Sequence, residues 1–162
     1  MQKLLIAIGT GLCALLPLSG AQAQQLPKSG TIAVHTGWKS TPEAVEVADK
    51  RYQGHGSVIG TTFNDKGSGP LHGGPATCFF VFFANDNGTK NKGYCTFGDE
   101  DGDRLFTDWQ GAINEQGGQG VNEIVGGTGK YAGITGSGPW KCKNASASGN
   151  LACTQQFSYR LP

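Results

Sequence analysis

Gly126-Gly127-Thr128-Gly129-Lys130-Tyr131-Ala132-Gly133-Ile134-Thr135-Gly136-Ser137-Gly138 is the stretch on which the reading of this chain turns. Six of its thirteen residues are glycine, yet Tyr131 and Ile134 are apolar, and the segment runs straight into Pro139-Trp140-Lys141-Cys142. A flexible linker lacks such anchors. Glycine inside a strand pattern marks bulges, tight bends and close approaches of another backbone. The stretch therefore reads as a turn feeding a bent strand, whose small residues leave room inside a closed sheet.

The flanking sequence is strand-like in both directions. Downstream, Leu151, Cys153, Phe157, Tyr159 and Leu161 alternate with polar residues and are assigned inward. Upstream lie a short strand over Val121–Val125 and two runs, Tyr94–Phe97 and Arg104–Ile113, that pair across an Asp-Gly turn at Asp101-Gly102. Cys78–Ala84 is apolar on both faces, so one face is expected against the core and the other under a helix, a loop or another subunit. Phe79, Val81 and Phe83 are the residues expected at such a homo-oligomer contact. Arg51–Phe63 carries Gly54, Gly56 and Gly60, the mark of a sharply coiled strand, and Thr31–Trp38 alternates cleanly. Pro42 is expected to begin a separate segment through Val45 and Val47. Eight or nine short strands with no helix predict an all-β fold, a sandwich or, better, a closed antiparallel barrel of eight or nine strands. Closure removes the edges that so many apolar strands would otherwise expose.

Residues 1–23 read as a signal peptide: Lys3, then an apolar run over Leu4–Leu18, then Ala21-Gln22-Ala23 before a cleavage point after Ala23. That run is too short and too Gly-interrupted to stay in a bilayer, and no other stretch is apolar enough to span one. Residues 24–162 form a single domain of a size that supports its own core. The chain has 13 basic and 12 acidic residues; without Lys3 the balance is 12 to 12, which gives no electrostatic case for nucleic acid. Cys78, Cys95, Cys142 and Cys153 remain, an even number in an exported chain, and thus two disulfides among three connectivities. Each sequential pair flanks a hairpin turn, which favours Cys78–Cys95 and Cys142–Cys153. Zinc is the rival reading, but no Cys-x-x-Cys is present. Export with disulfides places the protein in the periplasm or outside the cell.

Asn122-Glu123-Ile124-Val125-Gly126-Gly127-Thr128-Gly129-Lys130-Tyr131-Ala132-Gly133 resembles the late-strand signature of the allene oxide cyclase and dirigent-protein barrel superfamily: an apolar strand, Gly-Gly-Thr/Ser-Gly, an aromatic, then glycine. With His35-Thr36-Gly37-Trp38-Lys39-Ser40, Asp101-Gly102-Asp103 and Cys153-Thr154-Gln155, the chain looks like small exported bacterial members of that superfamily. The resemblance implies an eight-stranded antiparallel barrel with a central cavity. It implies no activity, because one fold hosts many functions, and the polar pocket residues of neither the cyclase nor the dirigent proteins map onto particular positions.

Candidate chemistry is sparse. His35, His55 and His72 show no local metal spacing, and ordinary surface hydrogen bonding is the expected role unless the barrel brings His35 and His55 together. Asp99, Asp101 and Asp103 offer oxygen ligands for calcium, but the loop lacks the EF-hand pattern, and a hairpin turn with solvated carboxylates is the stronger expectation. Glu123 shares a face with Val121 and Val125; an outward position is the stronger expectation, and the alternative is a place in the cavity with Lys141 as a candidate partner. Trp38, Tyr52, Tyr131, Trp109 and Trp140, with His35 and His55, are the candidate lining of a pocket for a small apolar ligand, or else plain core. No catalytic constellation and no cofactor motif is found. A binding protein is expected; the alternatives are a cyclase or isomerase working by confinement, and an oligomeric surface protein.

Overall fold

The computed structural model describes residues 26–114, 116–144 and 149–162; the stretch expected to be a leader, with its expected cleavage point, lies outside them. Eight strands follow one another: β1 Ser29–Ala48, β2 Arg51–Asn64, β3 Gly74–Asn85, β4 Gly88–Gly98, β5 Arg104–Asn114, β6 Gly117–Gly127, β7 Thr135–Asn144 and β8 Asn150–Arg160. Each pairs antiparallel with the next, and β8 returns to β1, so the sheet closes into a barrel in simple up-and-down order. The only helical element among the described residues is a single 3-10 turn, Gly129–Tyr131.

β1 absorbs both of the segments expected on either side of Pro42. β8 pairs with β1 only as far as Lys39, whereas β2 runs alongside it to Ala48. Pro42 therefore lies on a stretch bonded on one side, where a residue without an N–H is tolerated. The consequence is that β1 past Lys39 is a margin bonded to β2 alone, while β2 itself stays paired with β3 as far as Tyr52; Val45, Val47 and Tyr52 are exposed at this end.

The register fixes the barrel's dimensions. A cross-strand row starting at Val34 passes through Gln155, Trp140, Gly120, Gly111, Asn91, Phe82 and Gly54, and returns to β1 at Ala44, ten residues further on. Eight strands staggered by this amount tilt about 40° to the axis and set a backbone radius of about 8 Å. Such an interior is too wide for small side chains alone to fill.

The two ends differ. Loops 65–73, 99–103 and 128–134 gather at one end, where Leu71, Phe97, Leu105, Tyr131, Ile134 and Phe157 are fully or almost fully buried. Phe97 packs edge-on against Phe157 with ring centroids 5.3 Å apart. The short hairpins stand at the other end. Phe157→Ala empties the centre of the packed end and is expected to lower stability by about 3–5 kcal/mol, read as a shift of the urea midpoint with an unchanged slope; a loss under 1 kcal/mol would mean the plug is not the core.

Candidate functional site

A cavity of about 240 Å³ occupies the barrel between the packed end and the hairpin end. Its walls come from nearly every strand, because alternate residues point inward and the stagger brings distant ones level. Trp38 and Val58 stand on one side, Phe80 and Trp109 on another, Trp140 and Leu151 on a third, with Ser40, Pro42, Ile113 and Gly149 towards the mouth. Among the described residues lining it, none is Asp, Glu, His, Lys, Arg or Tyr.

Both cysteine pairs are joined, Cys78 to Cys95 and Cys142 to Cys153, each a directly opposed pair on neighbouring strands. All four cysteines line the cavity, so the cross-links are part of its wall. Closing loops of this length contributes about 3 kcal/mol each on the chain-entropy account.

Trp140 is held by the absence of side chains beneath it. A Cβ at Gly111 or Gly120 would collide with its indole and one at Gly118 would press on it, so three glycines of β5 and β6 form the floor on which the ring lies. Trp109 meets it edge-on, with centroids 5.6 Å apart, and Phe80 lies 6.4 Å from Trp109. Polar groups are set into this aromatic wall. Thr107 Oγ1 donates to Asn122 Oδ1 at 3.2 Å. Four other atoms, Asn91 Oδ1, Trp109 Nε1, Trp140 Nε1 and Gln155 Oε1, are buried with no protein partner. A buried polar group left unsatisfied costs about 1–3 kcal/mol, so four around one cavity call for a partner from outside the protein.

The sequence candidates divide. Trp38, Trp109 and Trp140 line the cavity. Tyr52 does not: it stands near the start of β2, between Glu46 and Ala84 in the register, and is exposed. His35 points outward from β1, stacks on Phe63 and lies 2.8 Å from Asp65 Oδ1. His55 is exposed and 3.9 Å from Glu43 Oε2, and the two histidines do not meet. Glu123 is outward as well, opposite Asp108 in the register, because β6 turns Asn122 and Ile124 inward and leaves Val121 and Val125 on the outer face. Lys141 is exposed on β7, where its register partners are Gln119 and Thr154.

Sequence reading missed Asn91 and Gln155. Gln155 sits in phase with Cys153 and Phe157, a signal that was present; Asn91 is masked by its neighbours Lys90 and Lys92, which make that stretch polar on both faces. Phe79 and Val81, expected under cover, are 63% and 51% exposed, and Tyr94 beside them 67%. With His55, Lys92, Asp108 and Glu123 they line a larger groove on the outer wall, about 790 Å³.

The acidic turn is not the solvated hairpin that the sequence suggests. Asp99 is buried at the packed end; Tyr131 Oη donates to its Oδ2 at 2.6 Å, Lys130 Nζ lies 2.8 Å from the same oxygen, and the Leu71 N–H donates to Oδ1. Lys130 Nζ also reaches Asp101 Oδ2 at 2.6 Å, and the Lys130 N–H donates to Asp103 at 2.9 Å. The ammonium of Lys130 sits where a cation would be held, and among the described residues no three His, Cys, Asp or Glu side chains converge on a metal position. Left-handed backbone at Gly129 (φ 52°) and Gly133 (φ 75°) brackets this turn and aims Tyr131 inward.

Burial and then the Asp99 carboxylate push the Tyr131 phenol well above its ordinary 10.0. Burial pulls Lys130 down, but hydrogen bonds to Asp101 and Asp99 outweigh it and leave the ammonium above its ordinary 10.5. Both folded values exceed the unfolded ones, so the stabilisation is complete below about pH 10 and lost as pH rises further. The melting temperature is therefore expected to fall above that pH, and less steeply in Tyr131→Phe. Lys130→Met, which leaves Asp99 buried beside no cation, is expected to cost about 3–5 kcal/mol at neutral pH. An alkaline fall of the same slope in Tyr131→Phe, or a neutral Lys130→Met, would contradict the role assigned to this cluster.

No family model matches the chain, and no curated protein matches it. Among solved structures, a dirigent protein described as a pterocarpan synthase is similar, with a TM-score of 0.54 and 13% identity, covering 85% of this chain and 94% of that one. At that identity the likeness is one of fold alone.

Proposed function

We propose that this is an exported barrel protein that binds a small, largely apolar molecule in its central cavity without transforming it. The observation that carries this reading is the aromatic-walled cavity with unpartnered polar atoms and no ionisable side chain among its described lining. Apolar area supplies affinity, a few fixed polar groups supply orientation, and acid–base chemistry has no agent in the wall. The leader and the two disulfides support export to the periplasm or beyond, and no helix among the described residues is long and apolar enough to cross a membrane.

Ring closure of a flexible substrate by confinement is a second reading. It draws support from the similarity to a pterocarpan synthase dirigent protein and, through the signature around Gly126–Gly133, from the resemblance to allene oxide cyclase. It requires that bound substrate leave as a different compound. Phe79, Val81 and Tyr94, exposed together on the outer wall, support self-association as a property alongside ligand binding; Phe83 is half-buried and contributes less.

Calorimetric titration with uncharged two-ring aromatics is expected to give saturable one-to-one binding, and Leu151→Trp, which fills the cavity, is expected to abolish it while the β spectrum persists. Absence of binding for every probe, or equal binding by the filled variant, would refute the cavity as the site. Recovery of an isomerised product would favour the second reading. Sedimentation is expected to show an oligomer that Phe79→Lys dissociates; a monomer at all concentrations would remove the outer-wall contact.

A further inference from the structure

Asn91, Trp109, Trp140 and Gln155 each present a buried polar atom that no protein group satisfies, and all four belong to the cavity wall. Asn91, Trp140 and Gln155 are 8%, 7% and 6% exposed, so solvent does not reach them freely. Their placement is paired. Gln155 stands directly opposite Trp140 across β7 and β8, and Asn91 lies diagonal to Trp109 across β4 and β5. The two indoles touch edge to face, which links the pairs into one continuous polar strip. In each pair an indole N–H and a carboxamide are neighbours, yet neither bonds the other.

An indole N–H only donates. A carboxamide, whichever way it is turned, offers one acceptor and two donors. A ligand that satisfies the strip must present a carbonyl-type acceptor to the indoles and an N–H or O–H donor to the carboxamide oxygens. It must also be uncharged, because no described lining residue supplies a counter-charge and an unpaired ion is costly to bury. Packed to ordinary density, 240 Å³ holds on the order of ten to twelve non-hydrogen atoms. Its aromatic walls favour a flat shape.

Resting on the reading that the cavity is the binding site, we propose that its ligand class is the compact, neutral, planar lactam or cyclic amide, with its N–H and C=O held by the strip of Asn91, Trp109, Trp140 and Gln155. A purely apolar molecule of equal size fills the same space but leaves the strip unsatisfied and expels any water that had been serving it. Recognition then takes the form of a preference for the lactam over its hydrocarbon isostere, since unpaired buried polar groups discriminate more sharply than a change of shape.

The test is a matched two-ring series, naphthalene, 2-quinolinone and 2-naphthoate, titrated into the mature protein by calorimetry. 2-Quinolinone is expected to bind at least about tenfold more tightly than naphthalene, and 2-naphthoate more weakly than either. Trp140→Phe and Gln155→Met are each expected to reduce that preference, read as the ratio of the 2-quinolinone and naphthalene affinities of the same variant, to within about threefold. If naphthalene binds as well as 2-quinolinone, or 2-naphthoate binds best, or the preference survives both variants, the lactam assignment fails and the cavity reading stands, with the strip served by water alone. If none of the three binds, the cavity reading fails and takes the assignment with it.

Discussion

The hydrogen-bonded seam between β1 and β8, Ser29–Lys39 against Asn150–Arg160, is the contact on which the molecule depends. Without it the sheet would present two long free margins, each a template for pairing with another chain. With it, every strand has two neighbours, and the ten-residue offset around the ring sets a tilt and radius that leave a hollow. The hollow is thus a result of register, not of any particular side chain. The side chains determine only which half of it is filled.

At one end they fill it completely. The longer loops fold inward, Tyr131 and Leu71 close the floor, and Asp99 ties the two together through a phenol, an ammonium and a backbone N–H. A buried carboxylate is a poor source of net stability but a specific one, since losing any partner leaves a charge stranded. At the other end large rings are stood on glycines, and the space between them stays open. The disulfides staple the wall at this level, where the interior has fewer contacts of its own to hold it.

Charge is sorted by the same geometry. Inward positions carry apolar residues, threonine and carboxamides, while almost all of the ionisable groups are outside, among them Glu123, Asp108, His35 and His55. The outer wall is not uniformly polar, however. Val121, Val125, Phe79 and Tyr94 are on it, while Asn122, Asn91 and Gln155 are within. Thr107 makes the inward Asn122 tolerable by bonding it; Asn91 and Gln155 have no such partner and give the cavity its polarity.

Much of the barrel was legible from residue order. The period-two alternation of β8, the Asp-Gly turn between β4 and β5, the hairpin-flanking cysteines and the glycine stretch with its buried Tyr131 are local signals, carried by near neighbours in the chain, and each matches the structure. The site was legible only in part, through its tryptophans. Alternation says that two sets of residues face opposite ways but not which set faces in; an outward Glu123 was the stronger expectation, and the place of β6 between its neighbours is what fixes it and turns Asn122 inward. Nor does any local pattern show that β1 continues past Pro42, or that Asp99 is buried, because both follow from strands and loops distant in sequence. Local periodicity determined an all-β chain with disulfide-linked hairpins. The tertiary closure alone decided which face became the interior, since stagger around a ring is a property of all eight strands together and is written in none of them.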